Sequence, residues 1–159
     1  MGRSKLNNLD ETGCRLLEEL QKNSRISYRE LGDKVGLSCS SVIERIKRLE
    51  EDNLIKNYTI VLDPNILGFA ISAIIEVKSL SYNDEKLLSQ KLLNHPCVLR
   101  FWIVTGDYDF VIETIFPSIQ DMNAFLVTLA EHGQTQSFIV IDKSPVKPIS
   151  KETLLKRSE

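Results

Sequence analysis

The sequence predicts an α+β chain of two domains, and two observations carry that prediction. The first third holds three amphipathic helices with a short glycine-containing break before the third. The remainder alternates strand, helix, strand, strand, helix, strand. The first pattern is a helix-turn-helix; the second is the split βαβ order of a ferredoxin-like βαββαβ sheet.

The 159 residues suffice for one domain or two small ones, either with a real core. The most apolar stretch, Phe69 to Val77, is strand-sized and interrupted by Ser72 and Glu76, so no membrane span is expected. The N-terminus lacks the apolar run of a secretory signal. Cys14, Cys39 and Cys97 are odd in number, and neither His95 nor His132 stands at zinc-ligand spacing from them. They read as thiols in a reducing cytoplasm, with no metal or cofactor implied. The net charge of -2 argues mildly against nucleic acid, and its distribution decides little. Residues 1–57 hold 11 Lys+Arg against 10 Asp+Glu, the rest 9 against 12.

In chain order, Met1 to Leu9 is polar and expected to be loosely attached. A first helix runs from Asp10 to about Lys22, with Asp10 and Glu11 suited to its positive end. Ser27, with Glu30 three residues on, caps a second helix whose expected buried stripe is Tyr28, Leu31 and Val35. Gly36 ends it, because glycine adopts the left-handed conformation of a tight exit. Ser38 then caps a third helix. Its apolar side is read as Val42, Ile43, Ile46 and Leu49. Its opposite side carries Ser40, Ser41, Glu44, Lys47, Arg48 and Glu51, with Arg45 on the shoulder. A helix so built can enter a DNA groove, and Ser38, Ser40, Ser41, Arg45, Lys47 and Arg48 are the candidate DNA-binding residues. The same pattern describes a solvated helix with Glu44 and Arg48 as an i,i+4 pair.

The β-prone run Ile55 to Leu62 leads to the turn Asp63-Pro64-Asn65 and reads as a hinge. Strands follow at 69–79, 98–105, 109–116 and 136–142, with helices at 82–94 and 118–131. Both helices should cover one sheet face. The other face, including parts of Phe101, Ile103, Val111 and Ile139, would then need a cover, by default a second copy. The tail from Pro145 is polar and without periodicity. The expected division is 1–57 helix-turn-helix DNA-binding domain, 58–68 hinge strand and linker, and 69–159 ferredoxin-like effector-binding and oligomerisation domain.

Four motifs, LDETGCRLLEELQKNSRIS, ELGDKVGLSCSSVIERIKRLEE, NLIKNYTIVLDPNILG and VTGDYDFVIE, stand in this order over about Leu9 to Ser150. In this combination the chain resembles the Lrp/AsnC (feast/famine) family of transcriptional regulators. The resemblance implies an N-terminal winged-type helix-turn-helix and a C-terminal ferredoxin-like ligand-sensing domain. It also implies promoter DNA as a partner, homodimers that assemble further into octamers, and a response to amino acids or related small metabolites. Gly13 and Cys39 depart from the family's usual residues. Asn53 and Asn57 replace two hinge glycines, and asparagine is the residue that best tolerates positive φ in their place.

The turn Gly106-Asp107-Tyr108-Asp109 has backbone N–H groups able to hold a carboxylate and two aspartates able to accept from an ammonium group. On residue chemistry alone an ordinary hairpin turn is the simpler reading. The resemblance places this turn beside the effector pocket, with contacts from Thr135, Gln136 and Ser137 ahead of the last strand. An enzyme is disfavoured: no nucleophile–base set, phosphate loop or metal-spaced cluster occurs. The expected function is a cytoplasmic, sequence-specific DNA-binding regulator tuned by a small metabolite. The alternative is a ligand-binding and oligomerisation module without DNA-binding activity.

Overall fold

The computed structural model describes residues 9–156. The segment expected to be loosely attached, Met1 to Leu9, lies outside them except for Leu9. Two compact units divide the described chain: 9–60 together with 145–156, and Val61–Ser144.

The first unit contains α1 (Glu11–Lys22), α2 (Tyr28–Val35), α3 (Cys39–Glu51) and a terminal α6 (Lys151–Leu155). Side chains cap each of the first three helices at its N-terminus. Asp10 accepts from the Gly13 N–H, Ser27 from the Glu30 N–H and Ser38 from the Ser41 N–H. Gly36 takes φ 77°, as its place at the end of α2 requires. The α2–α3 corner depends equally on Gly32. Its carbonyl accepts from the N–H groups of Gly36 and Leu37, and a Cβ there would meet the Leu37 carbonyl oxygen at 2.5 Å. The core is Leu16, Leu20, Ile26, Leu31, Val35, Val42, Ile46 and Leu49.

Two residues expected in this core are outside it. Tyr28 is 44% exposed and Ile43 46%. Val42, Ile46 and Leu49 span the narrow arc that faces α1 and α2, and Ile43 stands about 90° from its centre. Asn53 adopts φ 57°, as the reading of its turn required, whereas Asn57 has no positive φ.

The expected hinge strand does not form. Residues 56–63 have no strand partner, and Ile60, Val61 and Leu62 are all exposed. β-prone residues make a strand only where another strand accepts their hydrogen bonds, and the single chain offers none here. The tail also differs from the expected division, because 145–156 packs with the helical unit. The Lys151 N–H donates to Glu18, Lys151 Nζ pairs with Glu11 at 2.6 Å, and the Gln21 amide exchanges two hydrogen bonds with the Ile149 backbone.

The second unit runs β1 (Ile71–Ser79), α4 (Tyr82–Asn94), β2 (Val98–Ile103), β3 (Phe110–Phe116), α5 (Ile119–Ala130) and β4 (Gly133–Ile139). The strand order is β2-β3-β1-β4, and every neighbouring pair is antiparallel. Ala73, Ile75, Val77, Phe110, Ile112 and Phe116 pack against Leu88, Leu92, Met122, Phe125 and Leu129 of α4 and α5.

The register corrects the expected uncovered face. Phe101, Ile103 and Ile139 stand opposite Ile112, Phe110 and Ala73, hence on the helix side. Only Val111 of the four lies on the open side, beside Ile74, Trp102, Gln136 and Phe138. A register shift between Val98 and Arg100 is the reason, since one extra residue reverses the alternation of everything after it.

Candidate nucleic-acid interface and effector turn

The candidate interface begins at the α3 N-terminus. Ser38 Oγ accepts from the Ser41 N–H at 3.2 Å and lies 3.0 Å from Ser40 Oγ and 2.8 Å from Ser41 Oγ. Three hydroxyls thus form one cluster over free backbone N–H groups at the positive end of the helix, where a phosphate is favoured. Farther along, the outer face divides into two stripes. Ser40, Ile43 and Lys47 form one at i, i+3, i+7 spacing; Ser41, Glu44 and Arg48 form the other.

The basic residues are not equivalent. Arg48 is bonded to Glu44, and Lys47 lies 3.7 Å from Glu51, both on exposed turns of the same helix. Such pairs are worth roughly 0.3–0.5 kcal/mol, so phosphate can displace either carboxylate cheaply. Arg45 differs. It reaches 2.8 Å to Asp10, the residue that caps α1, and so ties α3 to the start of the bundle. The Arg45 guanidinium, outweighing partial burial, holds the Asp10 carboxyl below its usual range. Arg45 is therefore a brace first. Tyr58 supplies a second contact that the sequence concealed. Its hydroxyl donates to Glu50 at 2.9 Å, and burial, reinforced by that carboxylate, pushes its pKa up to about 12.

In the sheet unit, Tyr108 donates to the Gln136 side chain at 2.6 Å, joining the Gly106–Asp109 turn to β4. Gly106 takes φ 137°, a conformation that a side chain would strain. The two aspartates part company. Asp109 Oδ2 accepts from the Ser79 N–H at 2.7 Å, its own N–H donates to Val77, and its carbonyl accepts from Val104. It pins the end of β1 to the start of β3. Asp107 is exposed and makes no hydrogen bond or ion pair among the described residues. Thr135, Gln136 and Ser137 lie inside β4 rather than ahead of it, and strand alternation divides them. Thr135 and Ser137 stand opposite Val77 and Ile75 on the helix side, Gln136 opposite Glu76 on the open side. Within one chain, only Tyr108 and Gln136 of the expected effector residues are brought into contact by their side chains.

The open face carries one charged cluster. Arg100 Nε lies 2.7 Å and Lys143 Nζ 3.0 Å from Glu113, with the Arg100 guanidinium 4.7 Å over the Trp102 ring. Burial raises the Glu113 pKa, but Lys143 and Arg100 together hold it below its usual value. Among the described residues no helix is long and apolar enough to cross a membrane.

The comparisons with known proteins agree with this division. Residues 9–50 match the AsnC-type helix-turn-helix domain, and residues 72–148 match the Lrp/AsnC ligand binding domain. The chain is similar to the HTH-type transcriptional regulator FL11 of Pyrococcus furiosus, 36% identical over 120 residues that cover 74% of this chain and 78% of that one. LrpC of Bacillus subtilis is 33% identical over 141 residues, covering 87% and 96%. Among solved structures, the transcriptional regulator NMB0573/L-Met complex from Neisseria meningitidis superposes with a TM-score of 0.83. It is 26% identical and covers 89% of this chain and 97% of that one. A helix-turn-helix unit and a four-stranded α/β unit, each matched by its own family model, make this chain a member of the Lrp/AsnC family of transcriptional regulators.

Proposed function

We propose that the protein is a sequence-specific DNA-binding regulator, cytoplasmic, whose assembly or DNA affinity responds to an amino acid or related metabolite. One observation carries this reading. The buried stripe of α3 is complete with three residues, which leaves Ser40, Lys47 and Arg48 outward on a rigidly capped helix. Lys47 and Arg48 contact phosphate, and the hydroxyls at Ser38, Ser40 and Ser41 let the helix end approach the groove closely. Arg45 supports the helix through Asp10 and reaches DNA only at the expense of that bond. No catalytic role belongs to this reading.

For the effector, the turn offers free backbone and Asp107, and Tyr108 with Gln136 forms a polar wall. The printed description of the Neisseria relative as an L-Met complex supports an amino acid as the ligand class. Since β4 alternation sends Thr135 and Ser137 away from Gln136, both sets serve one ligand only if a second copy completes the pocket. Homodimers through the open face, assembling to octamers, supply that copy.

The test is the variant Lys47→Ala/Arg48→Ala on duplexes selected from a random pool. It should bind more weakly, with a log–log salt slope flatter by about 2 for each half-site, one per lost phosphate contact, and unchanged oligomeric mass. Unaltered affinity and slope would leave the alternative, a ligand-binding and assembly module that does not bind DNA.

A further inference from the structure

Ile43 is 46% exposed in the middle of α3, between Ser40 and Lys47, although the buried stripe of that helix needs nothing from it. We propose that Ile43 is a specificity-determining residue that recognises thymine through its 5-methyl group in the major groove. The proposal rests on the DNA-binding reading and adds to it the base that is read.

The chemistry of the face selects this occupant. Its polar side chains already have partners: Arg48 has Glu44, Lys47 has Glu51, and Ser40 and Ser41 both have Ser38. Redirecting any of them to a base edge exchanges one polar contact for another. Ile43 alone gains by leaving water, and the only apolar group on a major-groove edge is the thymine methyl. A protein partner is a poor alternative. A single branched side chain ringed by Ser40, Glu44 and Lys47 falls far short of the several hundred Å² of contiguous apolar surface that marks a docking patch. Position also favours DNA. Ile43 lies one turn past the hydroxyl cluster, so seating the α3 N-terminus against phosphate brings it toward the base edges.

The experiment uses the full chain and a duplex selected from a random pool. Each thymine is replaced in turn by deoxyuridine, which removes one methyl and keeps every hydrogen-bonding group. Wild-type protein should lose about three- to fivefold in affinity at one or two thymines per half-site, the value of one buried methyl. Ile43→Ala should show no loss at those thymines. Its own selection should yield a consensus relaxed there. Because Ile43 is outside the core and alanine favours helix, the variant should keep its fold, checked by circular dichroism. Equal deoxyuridine sensitivity in wild type and Ile43→Ala, or none in either, overturns the proposal while leaving DNA binding standing. Failure of the wild type to enrich any sequence overturns both.

Discussion

Asp109 and Asp107 look alike in the sequence, and replacing each by alanine should separate structure from ligand recognition. Asp109 accepts from the Ser79 N–H at 2.7 Å in a half-buried setting where two strands meet. Alanine there strands that donor, which costs about 1–2 kcal/mol. For a unit the size of Val61–Ser144, each kcal/mol lowers Tm by about 4–8 °C, so Asp109→Ala should melt roughly 4–15 °C early. Asp107 is exposed and holds nothing, and its replacement should shift stability by less than about 0.5 kcal/mol. The assay is thermal unfolding with and without each amino acid at millimolar concentration. If the turn recognises an α-ammonium group, Asp107→Ala loses the ligand-induced rise in Tm while its ligand-free Tm stays put. A full ligand shift in Asp107→Ala would remove that carboxylate from the pocket. Two variants with equal ligand-free Tm would show that the Ser79 bond contributes nothing.

Two further outcomes follow from the packing. Gly133→Ala should unfold or badly destabilise the sheet unit, because a Cβ there would lie 2.0 Å from the Lys78 carbonyl oxygen across the β1–β4 pair; solubility and circular dichroism report it. Acid should loosen the helical unit in a defined window. Glu19 bridges α1 and α2 through Lys22 and Lys34, whose bonds lower its pKa from 4.5 to about 2. A depressed folded pKa stabilises above the unfolded value, so that contribution is lost as pH falls from 4.5 toward 2, and Glu19→Gln should remove the dependence in that range.

Much of this fold was legible because its signals are local. Serine or aspartate caps, a glycine exit from α2 and the change from helical to strand period each involve residues close in sequence. What escaped the reading is set by distant neighbours. Helical spacing cannot say how wide an arc the rest of the bundle covers, so Ile43 was counted with the core although Val42, Ile46 and Leu49 already fill it. The displaced residue in β2 flips Phe101 and Ile103 without altering composition. Arg45 read as a DNA contact because its partner Asp10 lies 35 residues away. The effector turn was legible as chemistry, but nothing in its four residues reveals which aspartate is already engaged. That depends on the N–H of Ser79, which every residue except proline would supply.

The same logic explains the tail, which carries no pattern and yet has a defined place. Its bonds to α1 are mostly made by its backbone. The Ile149 N–H and carbonyl meet the Gln21 amide, and the Lys151 N–H meets Glu18. Only Lys151 adds a side-chain pair, to Glu11. Docking that uses main-chain groups leaves the tail free to vary while the recognition lies in α1, so it cannot be read from the tail itself. The first turn of α1 consequently has two attachments side by side, Asp10 to Arg45 of α3 and Glu11 to Lys151 of the tail. Each is an exposed pair worth at most about 1 kcal/mol and weakened by salt. Neither is strong enough to hold the unit together, a task left to the buried leucines. Their effect is on the angle and freedom of the helix ends, and in α3 that end is the face proposed to meet DNA.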